Sequence, residues 1–327
     1  MTLQKVARLA GVSVSTASKA LTNSKDVSDE TKRLVLSAAE TLGYFNENKR
    51  RKLENRKTDC PTVGIICPEI ISVYYSEIVT SLCRKISETG GKASVFISEF
   101  DNDRQSDILR RCVAESAIDG VLSLDSEESV LLPDSLPTVY LTRAEKCDCV
   151  YNDYESGLSD AVSYLVGMGH RSVAFAGEPL TRAKEAYFRQ ALGAQGLDCP
   201  SEFVFCEEGR FELSGKLAAE KLLANPVRPT AVVCAYDEIA YGLISTLRGA
   251  GVRVPEDISV IGINDIPTSK YLDTPLTTLR HDAERLCDEA LRLLFDRLKD
   301  PKAQRAPVSI AIPCALVERS SVLKIKT

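Results

Sequence analysis

Thr2-Leu3-Gln4-Lys5-Val6-Ala7-Arg8-Leu9-Ala10-Gly11-Val12-Ser13-Val14-Ser15-Thr16-Ala17-Ser18-Lys19-Ala20-Leu21 is the stretch on which the reading of this chain turns. Leu3, Val6, Ala7 and Ala10 recur at helical spacing behind Thr2, a residue type suited to cap a helix start. Gly11 ends that helix and permits a sharp turn. A second helix is expected from Ser13 or Val14 to about Thr22, with Ala17 and Leu21 facing inward. Ser28 then caps a third, with Asp29 and Glu30 in the first turn, where the helix dipole favours acids. Leu34, Val35, Ala38 and Leu42 make its apolar stripe, and Gly43 stops it. Helix, glycine-bearing turn, helix is the sequence form of a helix-turn-helix, so residues 1–45 are expected to be an all-α DNA-binding head.

Charge supports that assignment once it is resolved along the chain. The net charge is −5 over 327 residues, which by itself argues against a nucleic-acid partner. Residues 1–57, however, hold twelve Lys/Arg against six Asp/Glu, a local +6 that leaves −11 for the rest. A basic head on an acidic body points to a separate DNA-binding domain. Residues 46–58 are almost wholly polar, with only Leu53 to bury, and are expected to be a hinge linker.

From residue 59 onward the texture is that of an α/β core. Apolar runs at Val63–Cys67, Ala93–Ile97, Gly120–Leu124 and Thr138–Leu141 predict buried strands, with helices near 75–88 and 104–115 between the first three. A second set, Val173–Ala176, Val204–Cys206, Ala231–Cys234 and Ile258–Ile261, alternates with helices near 155–168, 183–195, 211–224 and 237–250. Strand–helix alternation implies parallel sheets with helices on both faces, here in two units of ordinary domain size.

Several function classes are excluded. The eleven cysteines are scattered, odd in number and without a Cys-x-x-Cys pair, and the only histidines are His170 and His281, so neither a disulfide framework nor a zinc site is expected. The nearest approach to a phosphate loop, Gly209 to Gly215-Lys216-Leu217, has one residue too many and Leu where Ser or Thr should bind magnesium. No Gly-x-Gly-x-x-Gly follows a strand and no Gly-x-Ser-x-Gly elbow occurs, so the chain is not expected to be an enzyme or to carry a cofactor. No apolar run spans a bilayer and the N-terminus lacks a signal-peptide core, so a cytoplasmic protein without a membrane partner is expected.

The Thr2–Leu21 run, with Val27-Ser28-Asp29-Glu30-Thr31-Lys32 and Leu42-Gly43-Tyr44, resembles the head of the LacI/GalR family of bacterial regulators. Gly169-His170-Arg171, Val254-Pro255-Glu256-Asp257-Ile258-Ser259-Val260-Ile261-Gly262 and Pro275-Leu276-Thr277-Thr278-Leu279 extend the resemblance along the body. It implies a periplasmic-binding-protein-like core over 59–327, made of two α/β subdomains joined by three crossovers with an effector in the cleft between them. The N-subdomain would take about 60–152 plus 283–312, and the C-subdomain about 153–282 plus 313–327. The implied function is a ligand-responsive repressor of a catabolic operon that binds a palindromic operator as a homodimer. A solute-binding protein with the same body would need an export signal and no basic head; this sequence shows the opposite.

The resemblance also assigns residues. In a helix-turn-helix the second helix puts its N-terminal residues at base edges of the major groove. Val14, Ser15 and Lys19 match the base-reading positions; Val14 suits a thymine methyl and Lys19 guanine acceptors. Ser13, Thr16, Ser18, Ser28 and Thr31 match phosphate-contacting positions, although Ser13 and Ser28 also read simply as helix caps. Thr2, Tyr44 and the hinge residues Arg51 and Leu53 complete the expected DNA contacts. The hinge departs from its relatives, with Asn46 in place of a proline and Arg50 in place of an alanine. Leu53 keeps the position that, by resemblance, wedges into the minor groove when residues 47–54 form a helix on DNA; a merely solvated basic linker is the other reading. For the effector, Ser72, Tyr74 and Tyr75 follow the first strand, Arg143 the fourth, and Arg182, Lys184 and Phe188 the first strand of the second set. Tyr236 and the Asn264-Asp265 pair follow later strands. Tyr187 and Tyr236 stand where relatives have Gly and Asn. This mixed polar set suits a neutral polyhydroxylated effector such as a galactoside, with a purine as the alternative.

Overall fold

The structure, a computed structural model, describes residues 2–21, 24, 26–44, 60–115, 118–125, 136–299 and 305–325. The hinge over 46–58, with Arg51, Leu53 and the expected DNA-induced helix, lies outside these residues.

The head is built as its apolar spacing dictates. Helices α1 (Leu3–Leu9), α2 (Val14–Leu21) and α3 (Asp29–Thr41) bury Val6 and Ala7, Ala17, Ala20 and Leu21, and Val35, Ala38 and Ala39 respectively. The turn between α1 and α2 runs through Gly11 at φ 68°, a left-handed conformation that a side chain would oppose. Two local expectations are corrected. Leu34 is 55% exposed, because α3 turns Val35, Ala38 and Ala39 inward and leaves Leu34 on the solvent side. Thr2 occupies the N-cap of α1 with extended backbone, yet its hydroxyl makes no capping hydrogen bond.

Contacts divide the chain into two compact units, Met1–Tyr151 with Ala283–Ala311 and Asn152–Asp282 with Ile312–Thr327, so the chain passes between them three times. In the first, strands β1 (Thr62–Cys67), β2 (Lys92–Ile97), β3 (Gly120–Ser123), β4 (Thr138–Tyr140), β5 (Asp148–Asp153) and β11 (Ser309–Pro313) lie in the order β11-β5-β4-β3-β1-β2. β1 pairs in parallel with both β2 and β3, and Val63, Ile65 and Ile66 are wholly buried, as befits a strand covered on both faces. Parallel pairing demands long crossovers, which α4 (Val73–Glu88) and α5 (Asn102–Glu115) supply. A further helix, α10 (Ala283–Lys299), is anchored to β5 by a two-pronged Arg297–Asp148 ion pair at 2.6 and 2.7 Å.

In the second unit, β6 (Val173–Gly177), β7 (Val204–Cys206), β8 (Ala231–Cys234), β9 (Ser259–Asn264), β10 (Thr277–Arg280) and β12 (Ala315–Val317) form a sheet ordered β12-β10-β9-β8-β6-β7. All pairings are parallel except β10 with β12. Helices α6 (Tyr154–Gly167), α7 (Arg182–Ala194), α8 (Glu212–Ala224) and α9 (Asp237–Gly249) accompany the sheet. α8 and α9 touch backbone to backbone: a Cβ at Gly242 would sit 1.9 Å from the Glu212 carbonyl oxygen, so only glycine fits there. Among the described residues, no helix is long and apolar enough to cross a membrane.

Candidate functional site

The residues singled out above fall on the head and, separately, on each of the two units. On the head, the start of α2 is fixed by Ser13, whose Oγ accepts a hydrogen bond from the Thr16 N–H at 3.0 Å. Ser28 does the same for α3, accepting from the Thr31 N–H at 3.3 Å. The paired hydroxyls Ser13–Thr16 and Ser28–Thr31 lie 2.8 Å apart. Each cap therefore leaves a hydroxyl pair beside a helix N-terminus, the arrangement that attracts a phosphate. Ser13, Ser15, Ser18 and Lys19 are exposed, and so is Val14 at 43%, an apolar side chain with no core to enter. Lys19 meets Asp26 at 2.9 Å across the turn, and its ammonium holds the Asp26 carboxyl below the usual carboxylate range. That pair is solvent-exposed, so exchanging the carboxylate for a base edge or phosphate costs little. Tyr44 is half-buried at the end of the head.

In the first unit, the residues after β1 serve the fold as well as the surface. Ser72 is buried and caps α4, its Oγ accepting from the Tyr75 N–H at 3.3 Å. Tyr74 and Tyr75 follow, their rings edge to face with centres 5.1 Å apart. Arg143 is exposed and lies over the Tyr151 ring at 5.8 Å. The carboxyl ends of β2 and β3 add residues that the sequence reading missed. Ser98 donates to the Asp125 carboxylate, and Gln105 donates to Ser123 Oγ at 3.1 Å. Burial raises the Asp125 carboxyl above its ordinary value, partly offset by the Ser98 hydrogen bond.

The second unit gathers most of the site at one sheet edge. Lys184, in the first turns of α7, donates to the Ala235 carbonyl at 3.0 Å, and its ammonium lies 4.4 Å from the Tyr154 ring centre and 4.5 Å from that of Tyr236. Burial pulls this lysine down to about 8, against the opposing pull of Cys314, Glu238, Asp237 and Glu178. Arg182 is exposed at the helix start. Phe188 corrects the expectation: its ring is fully buried against Phe175, with centroids 5.4 Å apart, so it belongs to the core and not to a ligand surface. Period 3.6 explains it, because a residue four positions after Lys184 lies on the same side of the helix but one turn deeper.

The end of β9 is tightly braced. Asn264 and Asp265 adopt φ 110° and 53°, costly for two successive non-glycine residues and sustained only where neighbours over-determine them. Asp237, fully buried at the start of α9, does much of this. Its carboxylate accepts from the Ile266 N–H at 2.9 Å, Ser269 Oγ at 2.5 Å and Thr278 Oγ1 at 2.6 Å. Burial nevertheless pushes its carboxyl up to about 7. The Asp265 carboxylate is held by Arg319 at 2.5 Å, and Arg210 pairs with Glu178 at 3.0 Å. Tyr154, Arg319 and Arg210 carried no signal in the sequence, because each reaches the site from an element distant along the chain. Among the described residues, no cluster of His, Cys, Asp and Glu is placed to hold a metal ion, and no disulfide joins any of the cysteines.

The comparisons with known proteins bear on the family and the fold. Residues 2–46 match the family described as bacterial regulatory proteins, lacI family, and residues 162–322 match a periplasmic binding protein-like domain. The chain is 33% identical over 339 residues to a protein of Mannheimia succiniciproducens named HTH-type transcriptional repressor PurR, covering 99% of each chain. The solved complex of the transcriptional regulator CelR with cellobiose is similar at a TM-score of 0.70 and 28% identity, covering 98% of this chain and 99% of that one. The lac repressor dimer bound to operator and the anti-inducer ONPF shares the fold at a TM-score of 0.72 and 23% identity, covering 99% of each.

Proposed function

The chain belongs to the LacI family of bacterial regulatory proteins, and on that premise we propose how this LacI-type transcriptional repressor meets its operator and its effector. It acts in the cytoplasm as a homodimer on a palindromic operator. Val14, Ser15 and Lys19 read base edges, while Thr2, Ser13, Thr16, Ser18, Ser28, Thr31 and Tyr44 hold the backbone. Leu53 is assigned to the minor groove at the centre of the site and Arg51 to the DNA, on the resemblance alone. The effector is recognised by Ser72, Tyr74, Tyr75 and Arg143 from the first unit and by Arg182, Lys184, Tyr236, Asn264 and Asp265 from the second.

One observation carries the effector class. The charged groups at the second unit's sheet edge already have partners within the protein: Arg319 with Asp265, Arg210 with Glu178, and Lys184 with a carbonyl and two tyrosine rings. With these groups already met inside the protein, an ionic ligand gains little from them, which favours a neutral molecule rich in hydroxyls, a carbohydrate. A purine is the second reading, favoured by the flanking Tyr154 and Tyr236 rings and by the PurR name of the Mannheimia relative. Thermal unfolding with a panel of neutral mono- and disaccharides and of nucleobases separates them. A ligand at about 100 times its dissociation constant adds roughly 2.7 kcal/mol. Stabilisation by sugars supports the first reading, stabilisation by nucleobases replaces it with the second, and a response confined to charged metabolites removes both.

A further inference from the structure

The end of β9 holds two successive residues of positive φ, Asn264 and Asp265, both assigned above to the effector. Backbone in this region is unfavourable for side-chain-bearing residues unless the surroundings impose it. Asp237 imposes part of it through Ile266, Ser269 and Thr278, and the Asp265 N–H donates to Thr278 Oγ1 at 3.3 Å. None of these bonds touches the Asp265 carboxylate. That group is held from the other end of the chain. Arg319, just beyond β12, donates from Nη2 to Asp265 Oδ1 at 2.5 Å and from Nη1 to the Leu276 carbonyl at 2.6 Å. Its own backbone N–H donates to Thr277 Oγ1 at 2.9 Å. Both side chains are largely buried, at 16% and 10% exposure, so the pair is not a screened surface contact.

We propose that Arg319 is a positioning residue for effector recognition: it fixes the Asp265 carboxylate by one oxygen, leaving Oδ2 as the single acceptor presented to a hydroxyl or N–H of a neutral ligand. This rests on the reading of Asp265 as an effector residue. The guanidinium fork fits the geometry, since two separate nitrogens meet the carboxylate and a backbone carbonyl of the adjoining loop, whereas a lysine would have to reach both from one nitrogen. In this arrangement Asp265 offers a directional acceptor and little net attraction for a cation. Its charge is balanced before the ligand arrives, and only its directional acceptor remains. The same clamp ties the 264–266 turn to the 276–277 segment, so losing it frees both the carboxylate and the strained backbone that carries it.

The test uses the full chain and the variants Arg319→Lys, Arg319→Met, Asp265→Asn and the double variant Arg319→Met/Asp265→Asn. Hydrogen exchange in the absence of ligand comes first. The amides of Asp265 and Ile266 are expected to exchange at least tenfold faster in Arg319→Met, with the β8 strand unchanged. Unaltered exchange at these two amides in a folded Arg319→Met protein overturns the proposal. Should Arg319→Met fail to fold, Arg319→Lys, which keeps the charge, supplies the same comparison and is expected to loosen the same amides. Binding is then measured with galactose, cellobiose and hypoxanthine as probes. For a probe that binds the wild type, Arg319→Met and Asp265→Asn should each weaken affinity at least tenfold, with the double variant no worse than Asp265→Asn. Fully additive losses overturn positioning through Asp265. If no probe binds the wild type while the exchange result holds, the neutral-effector reading fails and the clamp on Asp265 stands.

Discussion

Replacing Asp237 with asparagine tests the brace beneath the effector loop through its pH dependence. In the fold this carboxyl is fully buried and is raised from 3.8 to about 7, chiefly by desolvation and against three hydrogen bonds that favour the ionised form. A folded-state value above the unfolded one contributes stability that is complete below about pH 3.8 and is lost as pH rises through about 7. About three pKa units at 1.36 kcal/mol each amounts to roughly 4 kcal/mol across that window. Asparagine has nearly the same shape and does not ionise; its oxygen still accepts from the Ile266 N–H and the Ser269 hydroxyl, while its amide nitrogen donates to the Thr278 hydroxyl oxygen. Urea unfolding followed by circular dichroism at pH 4.5, 6 and 8 reads the difference. The variant should gain on the wild type steadily as pH rises, by roughly 3–4 kcal/mol in total, because His281 and the other titrating groups are common to both. Parallel stability curves would show that Asp237 ionises normally in the fold and that the desolvation argument is wrong.

Three further outcomes follow from other contacts. Ser28→Ala should cost the head about 1 kcal/mol by loss of the α3 cap, and Ser13→Ala should cost a similar amount and weaken operator binding as well; differential scanning calorimetry and fluorescence anisotropy measure the two effects. Gly242→Ala should destabilise the second unit by about 3 kcal/mol or more, because its Cβ would overlap the Glu212 backbone, whereas Gly249→Ala, with open space around it, should be neutral or stabilising by melting temperature. Lys184→Ala should lower effector affinity by about 1.5–3 kcal/mol in calorimetric titration and leave effector-free operator binding intact; unchanged effector affinity would move the site away from the Tyr154–Tyr236 slot.

Local signals made much of this protein readable from its residues. The head follows from the spacing of Val6, Ala7, Ala17, Val35 and Ala38 and from the caps Ser13 and Ser28, all set within a few residues of their partners. The strands covered on both faces are unbroken apolar runs and were equally legible. By contrast β5, Asp148-Cys149-Val150-Tyr151-Asn152-Asp153, is polar at both ends, and β11 and β12 are short strands at the sheet edges, so no such run marks them. The effector edge was legible only where the resemblance supplied it. Its bracing was not, because Arg319 meets Asp265 across 54 positions and Thr278 meets Asp237 across 41. Phe188 shows the complementary error: a position carried over from relatives turned out, by helix geometry, to face Phe175 in the core.

The most direct measurement of the account is selection of the full-length protein's preferred DNA from a random duplex library, followed by the stoichiometry of the complex by analytical ultracentrifugation. A two-fold symmetric consensus bound by two chains is the expected result, with Lys19→Ala relaxing preference at one base pair in each half-site by about 1–3 kcal/mol. Recovery of no consensus, or of an asymmetric site occupied by one chain, would contradict the central claim that this LacI-family protein reads an operator as a dimer.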